Sequence, residues 1–100
     1  MREDRQRLDK WLWFARFVKS RTLAAKLVSD GFVRVNGQRA ETPAKALAVG
    51  DVITVAAART TAVVRVEAFG TRRGPAEEAR RLYKELGRDD GALVTSPDNR

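Results

Sequence analysis

Ten of the first forty residues are Arg or Lys, and their types and spacing suit gripping phosphate better than any covalent chemistry. Arg7, Lys10, Arg16, Lys19, Arg21 and Lys26 fall within twenty positions, and Arg34 and Arg39 follow soon after. Only Glu3, Asp4, Asp9 and Asp30 oppose them, so residues 1–40 hold +6 of the chain's +7. Residues 41–70 sum to zero and residues 71–100 to +1. An isoelectric point near 10.8 fits a polyanionic partner. The chain has neither histidine nor cysteine. The usual general base near neutral pH, a thiolate nucleophile and the common zinc ligands are therefore missing, and no acid pair stands out. We expect a non-catalytic binding protein with no metal and no cofactor.

Two helices must position these cations. Leu8, Trp11, Leu12 and Ala15 recur at the spacing of one helical face, which predicts a first helix over 8–17. Asp9 falls in its first turn, where a negative charge suits the dipole and a salt bridge. Lys19-Ser20 forms a short connection, and Ser20 is a good N-cap for a second helix over 21–30. Leu23, Ala24, Leu27 and Val28 line that helix's apolar side, and Gly31 ends it as a left-handed residue. Capping at Ser20 places the helix's unpaired backbone N–H groups between Lys19 and Arg21, a sound site for a phosphate.

Beyond Gly31 the period changes from helical to alternating. Phe32-Val33-Arg34-Val35 reads as a strand, Asn36-Gly37 as a two-residue hairpin turn, and Gln38-Arg39-Ala40 as the return. Arg34 and Arg39 flank that turn and extend the basic surface. Two more strands are expected at Val52–Val55 and Thr61–Glu67, both rich in β-branched residues. After the basic loop Gly70–Gly74, Pro75 suits the start of a third helix near 75–86, with Ala79, Leu82, Tyr83 and Leu86 as its stripe. Trp11 belongs to the apolar stripe of the first helix and is assigned to the core. Trp13 lies about 200° around the same helix and is assigned to packing in preference to base stacking. Phe14 and Phe17 are assigned to the core.

The order of residues resembles a known family. Arg7-Leu8-Asp9-Lys10-Trp11-Leu12-Trp13, then Ala15-Arg16-Phe17, Lys19-Ser20-Arg21 and Ala24, is similar to the αL RNA-binding motif of small-subunit ribosomal protein S-four and several RNA-modifying enzymes. Gly31–Gln38 and Pro43–Val55, with its Gly50-Asp51 turn, continue the likeness. The paired tryptophans and Arg72-Arg73-Gly74-Pro75-Ala76-Glu77-Glu78-Ala79 look more specifically like the heat-shock protein fifteen family. The resemblance implies binding to large ribosomal subunits that still carry a nascent chain on transfer RNA, and a part in recycling them. Well-known members carry a longer, strongly basic C-terminal extension, whereas this sequence ends at Arg100 with a nearly neutral segment.

The expected fold is α+β, with two packed N-terminal helices beside a small, mainly antiparallel sheet and a C-terminal helix. Residues 1–6 are expected to form an arm, 7–86 one RNA-binding domain with its core motif at 7–55, and 87–100 a flexible tail. Candidate RNA-binding residues are Arg7, Lys10, Arg16, Lys19, Ser20, Arg21, Lys26, Arg34 and Arg39. RNA duplexes are read mainly through shape, phosphate and 2′-OH, so specificity for sequence is not expected. The partner is expected to be ribosomal or transfer RNA on the large ribosomal subunit. A helix-turn-helix that binds DNA is the nearest rival, yet the exposed face of the second helix offers no Asn or Gln to read adenine. Non-specific DNA binding uses the same phosphate contacts. An interfacial membrane helix is disfavoured by the globular pattern downstream. The charged N-terminus lacks a signal-peptide pattern, so a cytoplasmic location is expected. No dimer seam is evident, which points to a monomer.

Overall fold

The computed structural model describes residues 5–57 and 60–89. Strand β1 (Gln6–Arg7) leads directly into helix α1 (Leu8–Phe14), and helix α2 (Arg21–Ser29) follows a six-residue connection. Strands β2 (Val33–Val35), β3 (Gln38–Arg39), β4 (Ala46–Leu47), β5 (Val52–Ala57) and β6 (Thr60–Val66) come next. Helix α3 (Ala76–Ala79) tightens into a 3₁₀ turn at Arg80–Leu82 and passes into strand β7 (Tyr83–Asp89). The main sheet is open and antiparallel, in the order β3-β2-β5-β6-β7, and β1 pairs separately with β4. The architecture is the expected α+β arrangement.

The two faces of the main sheet divide by alternation. Val33, Val35, Ile53, Val55, Ala62, Val64 and Val66 point inward, and all are at most 5% exposed. They pack with Leu8, Trp11, Leu12, Ala24 and Val28 from the helices in one core. Trp11 is wholly buried, as its place on the stripe predicts, and its indole N–H donates to the Ala68 carbonyl at 3.0 Å. Phe14 is buried as well, while Phe17 and Trp13 are half-buried against the core. Trp13 therefore packs, its ring 5.3 Å from that of Phe14.

Helix α2 and the hairpin form where local signals place them. The Ser20 hydroxyl accepts from the Leu23 N–H at 3.1 Å, a side-chain N-cap. Gly31 takes φ +90°, and the Gly31 and Phe32 N–H groups donate back to the Val28 and Leu27 carbonyls. Those two bonds are the Schellman closure of a helix. Asn36 and Gly37 have φ of 53° and 84°, the left-handed pair that a tight hairpin needs. Asn36 also fastens the turn to the sheet, since its side chain accepts from Val52 N–H and donates to the Asp51 carboxylate.

Three boundaries differ from the sequence reading. First, α1 stops at Phe14 where 8–17 was expected. Its end is also a Schellman closure, with Arg16 and Phe17 N–H donating to the Trp13 and Leu12 carbonyls. The left-handed position is Arg16 at φ 67°, a residue type that gives no stop signal. Second, Gln6 is no arm residue. It pairs with Leu47, and its amide exchanges hydrogen bonds with the Gly70 backbone at 2.9 and 3.2 Å.

Third, the C-terminal helix begins after Pro75 as expected but ends at Leu82, where 75–86 was predicted. Tyr83–Asp89 instead pairs along β6, so residues 87–89 of the expected tail belong to the sheet. The rest of that tail, from residue 90, lies outside the described residues. Residues 83–86 have fair helix propensity, but the open edge of β6 supplies hydrogen bonds that outweigh it. Val64 pairs with Glu85 and Val63 with Gly87, which leaves Leu86 as the extra residue of a bulge. Leu86 is consequently 47% exposed and does not share one face with Ala79 and Leu82.

Candidate nucleic-acid interface

The starts of the two helices meet at one carboxylate. The Asp9 side chain is only 4% exposed. Arg7 grips it in two-point fashion, Nε to Oδ1 at 3.1 Å and Nη2 to Oδ2 at 3.0 Å. From α2, Arg21 brings its Nε to 3.6 Å from the same Oδ2. Burial works to raise the Asp9 carboxyl, but the Arg7 hydrogen bonds, the charges of Arg7 and Arg21 and the Lys10 backbone bond hold it below the usual carboxylate range. Asp9 therefore stays ionised and serves as the salt-bridge residue expected. Arg7 and Arg21 remain 48% and 42% exposed, so both guanidinium groups also face solvent. Each cation is fixed in position by a charge that solvent hardly sees.

Helix α1 begins without a side-chain cap. Its first N–H groups are instead taken by the chain that follows the hairpin, Leu8 N–H by the Lys45 carbonyl at 2.8 Å and Asp9 N–H by that of Pro43 at 3.0 Å. Helix α2 begins on its own Ser20, with exposed Lys19 beside it. The geometry of any helix leaves the first N–H groups, here those of Arg21 and Thr22, without intrahelical acceptors.

The remaining candidates divide by location. Lys10 is half-buried on α1. Lys26 is exposed and paired with Asp30 at 3.1 Å, one turn along α2. Arg34 and Arg39 are exposed partners directly across the hairpin. Arg34 bends towards the Gly37 carbonyl, and the Arg39 guanidinium lies over Gly31 at the end of α2. Nine residues of α2 span about 13 Å, so the hairpin arginines sit at the far end of a stripe that starts at Ser20. Arg16 is tied to a different segment. Its Nη1 donates to the Gly74 carbonyl at 2.9 Å.

Arg16 faces a second basic region absent from the sequence-based candidates. A cleft of about 250 Å³ between the end of α1 and α3 is lined by Arg16, Phe17, Arg80 and Tyr83, with three alanines. Nearby, Arg72 is tied to Glu78 at 2.7 and 3.2 Å. The signal for this region was weak because Glu77 and Glu78 offset the arginines in a net-charge count.

The S4 domain family matches residues 6–53, which holds both helices, the hairpin and the start of β5. Heat shock protein 15 of Escherichia coli K12 is 43% identical over 79% of this chain and 59% of its own length. The Vibrio cholerae heat shock protein 15, solved as a trimer, superposes with a TM-score of 0.77 at 43% identity, covering 82% of each chain. This chain belongs to the heat shock protein 15 family. The Haemophilus influenzae homologue is 38% identical over 85% of this chain and 64% of its own length. The chain thus spans about three-fifths of the length of the curated family members it matches. The family match extends past the S4 domain through α3, since an alignment of 79 residues cannot end before residue 79.

Proposed function

We propose that this protein binds structured RNA without catalysis, through the stripe that runs from Arg7 and Lys10 across Lys19, Ser20 and Arg21 to Lys26, Arg34 and Arg39. The single observation that carries the reading is the buried Asp9 carboxylate holding Arg7 and Arg21 together at the two helix starts. A preset pair of guanidinium groups loses little freedom on meeting adjacent phosphates. The α2 N-terminus beside them adds backbone N–H donors and the positive end of a helix dipole. Ser20 keeps that end formed, and Lys19 adds charge. The S4 domain match and the heat shock protein 15 relatives support the same reading.

The finer proposal is a cytoplasmic monomer that acts on large ribosomal subunits left holding peptidyl-transfer RNA. The helix pair would grip ribosomal or transfer RNA by its backbone and favour one placement of the stranded transfer RNA until it is released. Among the described residues no helix is long and apolar enough to cross a membrane, which is compatible with that location.

Two measurements test these levels separately. Lys19→Ala with Arg21→Ala should weaken RNA binding and make log K against log salt shallower by about 0.7–0.9 per lost contact. Unchanged affinity in the double variant would remove the stripe from consideration. Affinity for large subunits with and without peptidyl-transfer RNA, at fixed salt, tests the recycling role. Equal affinity for both, and for unrelated RNA or DNA, would leave a general nucleic-acid-binding module.

A further inference from the structure

The cleft between α1 and α3 has features that the phosphate stripe lacks. Phe17 and Tyr83 meet there with ring centroids 5.0 Å apart, and both are only half-buried. Ala15, Ala76 and Ala79 supply the rest of the wall, so small side chains leave open the space beside the rings. Arg16 and Arg80 are exposed at its rim, and no acidic side chain lines it. The volume of about 250 Å³ falls just below the range of about 300–1,000 Å³ that encloses whole small-molecule ligands. It suits one planar ring with a charged group outside.

Arg16 is also held there at a cost. A residue with a Cβ at φ 67° is disfavoured, and glycine is the usual occupant of that position in a Schellman closure. The Gly74 carbonyl fixes one of its guanidinium nitrogens, and the residue remains exposed.

We infer that this cleft receives a single unpaired nucleotide of the bound RNA, with its base against the Phe17 and Tyr83 rings and its phosphate between Arg16 and Arg80. The inference rests on the RNA-binding reading above and adds a preference to it. A paired helix satisfies the stripe alone, whereas a helix with one extruded base satisfies stripe and cleft together. Stacking on aromatic side chains is tolerant of base identity, so all four bases should serve.

The test compares two RNA hairpins, one fully paired and one carrying a single bulged nucleotide, in anisotropy titrations at the same salt concentration. The natural sequence should bind the bulged hairpin about tenfold more tightly. Ala76→Trp, at an exposed position on the cleft wall, should abolish that preference and leave affinity for the paired hairpin unchanged. Arg80→Gln should reduce the preference without filling the space. Tight but equal binding of both hairpins by the natural sequence would overturn the cleft and leave the RNA reading standing. A preference that survives both substitutions would overturn it too. No affinity for either hairpin would overturn the RNA reading and the cleft together.

Discussion

Helices α1 and α2 close by the same bonds yet are built on different principles. Each ends in a Schellman pair, but α2 puts Gly31 in the left-handed position and α1 puts Arg16 there. Each starts with N–H groups that need acceptors. Ser20 supplies one for α2 from the adjacent residue, whereas α1 borrows carbonyls from Pro43 and Lys45. Helix α2 therefore carries its own punctuation, and α1 takes its limits from the folded chain around it. The contrast bears on function. The α2 N-terminus is formed by local residues, while α1 places Arg7 and Arg16 only once the surrounding fold is complete.

The largest effect should come from the junction of the two helices. Asp9→Asn should lower stability by about 2 kcal/mol, discounted because both arginines are nearly half exposed. It should also weaken RNA binding by releasing Arg7 and Arg21. The carboxyl is held below its unfolded value of about 3.9, so its contribution is complete above that pH and is lost as pH falls through the lower folded value. Thermal melts from pH 7 to pH 2 should show a larger acid-side loss in the natural protein than in the Asn variant, which keeps the part due to Glu78 beside Arg72. Parallel acid profiles would contradict the assignment.

Gly31→Ala should come next, costing about 1–2 kcal/mol for a Cβ at φ +90°. The added atom would also sit 3.0 Å from the Arg39 guanidinium, which can swing aside. Denaturant titration reads the loss, and an unchanged midpoint would mean α2 does not depend on its glycine. Ser20→Ala should cost about 1 kcal/mol, the usual value of a lost side-chain cap. Ser20→Gly should recover part of it in the same titration. The smallest effect is expected at Arg16→Gly. Relief of its positive φ and loss of the Gly74 bond oppose each other, so stability should stay within about 1 kcal/mol. A loss as large as that of Gly31→Ala would show that Arg16 is mainly structural.

The same contrast explains what was legible beforehand. Ser20, Gly31 and Asn36-Gly37 act on their immediate neighbours, so α2 and the hairpin could be drawn from the sequence. The core role of Trp11 followed from period alone. The end of α1 could not be drawn, because arginine in a left-handed position is imposed by packing and leaves no mark in the chain. Gln6 and β7 escaped for a related reason, as their partners, Gly70 and the edge of β6, are remote. At the interface, Asp9 read correctly as a helix-start ion pair, but its contact with Arg21 twelve positions on requires the helices to be folded together. The cleft was hidden further still, since Arg16 and Arg80 are sixty-four positions apart.

The bulge at Leu86 has a bearing on solubility. An open sheet has two outer strands, and outer strands can template the addition of others. Strand β3 holds two residues, both exposed, one of them Arg39. Strand β7 is longer, but its register breaks opposite Val63 and Val64, and Lys84 and Glu85 flank the break on one side. A straight strand from a neighbouring molecule cannot stay in step across that irregularity, and at β3 it finds too short a rail. Removing Leu86 should straighten β7 into a regular ladder and leave the protein more prone to form fibrillar aggregates on heating.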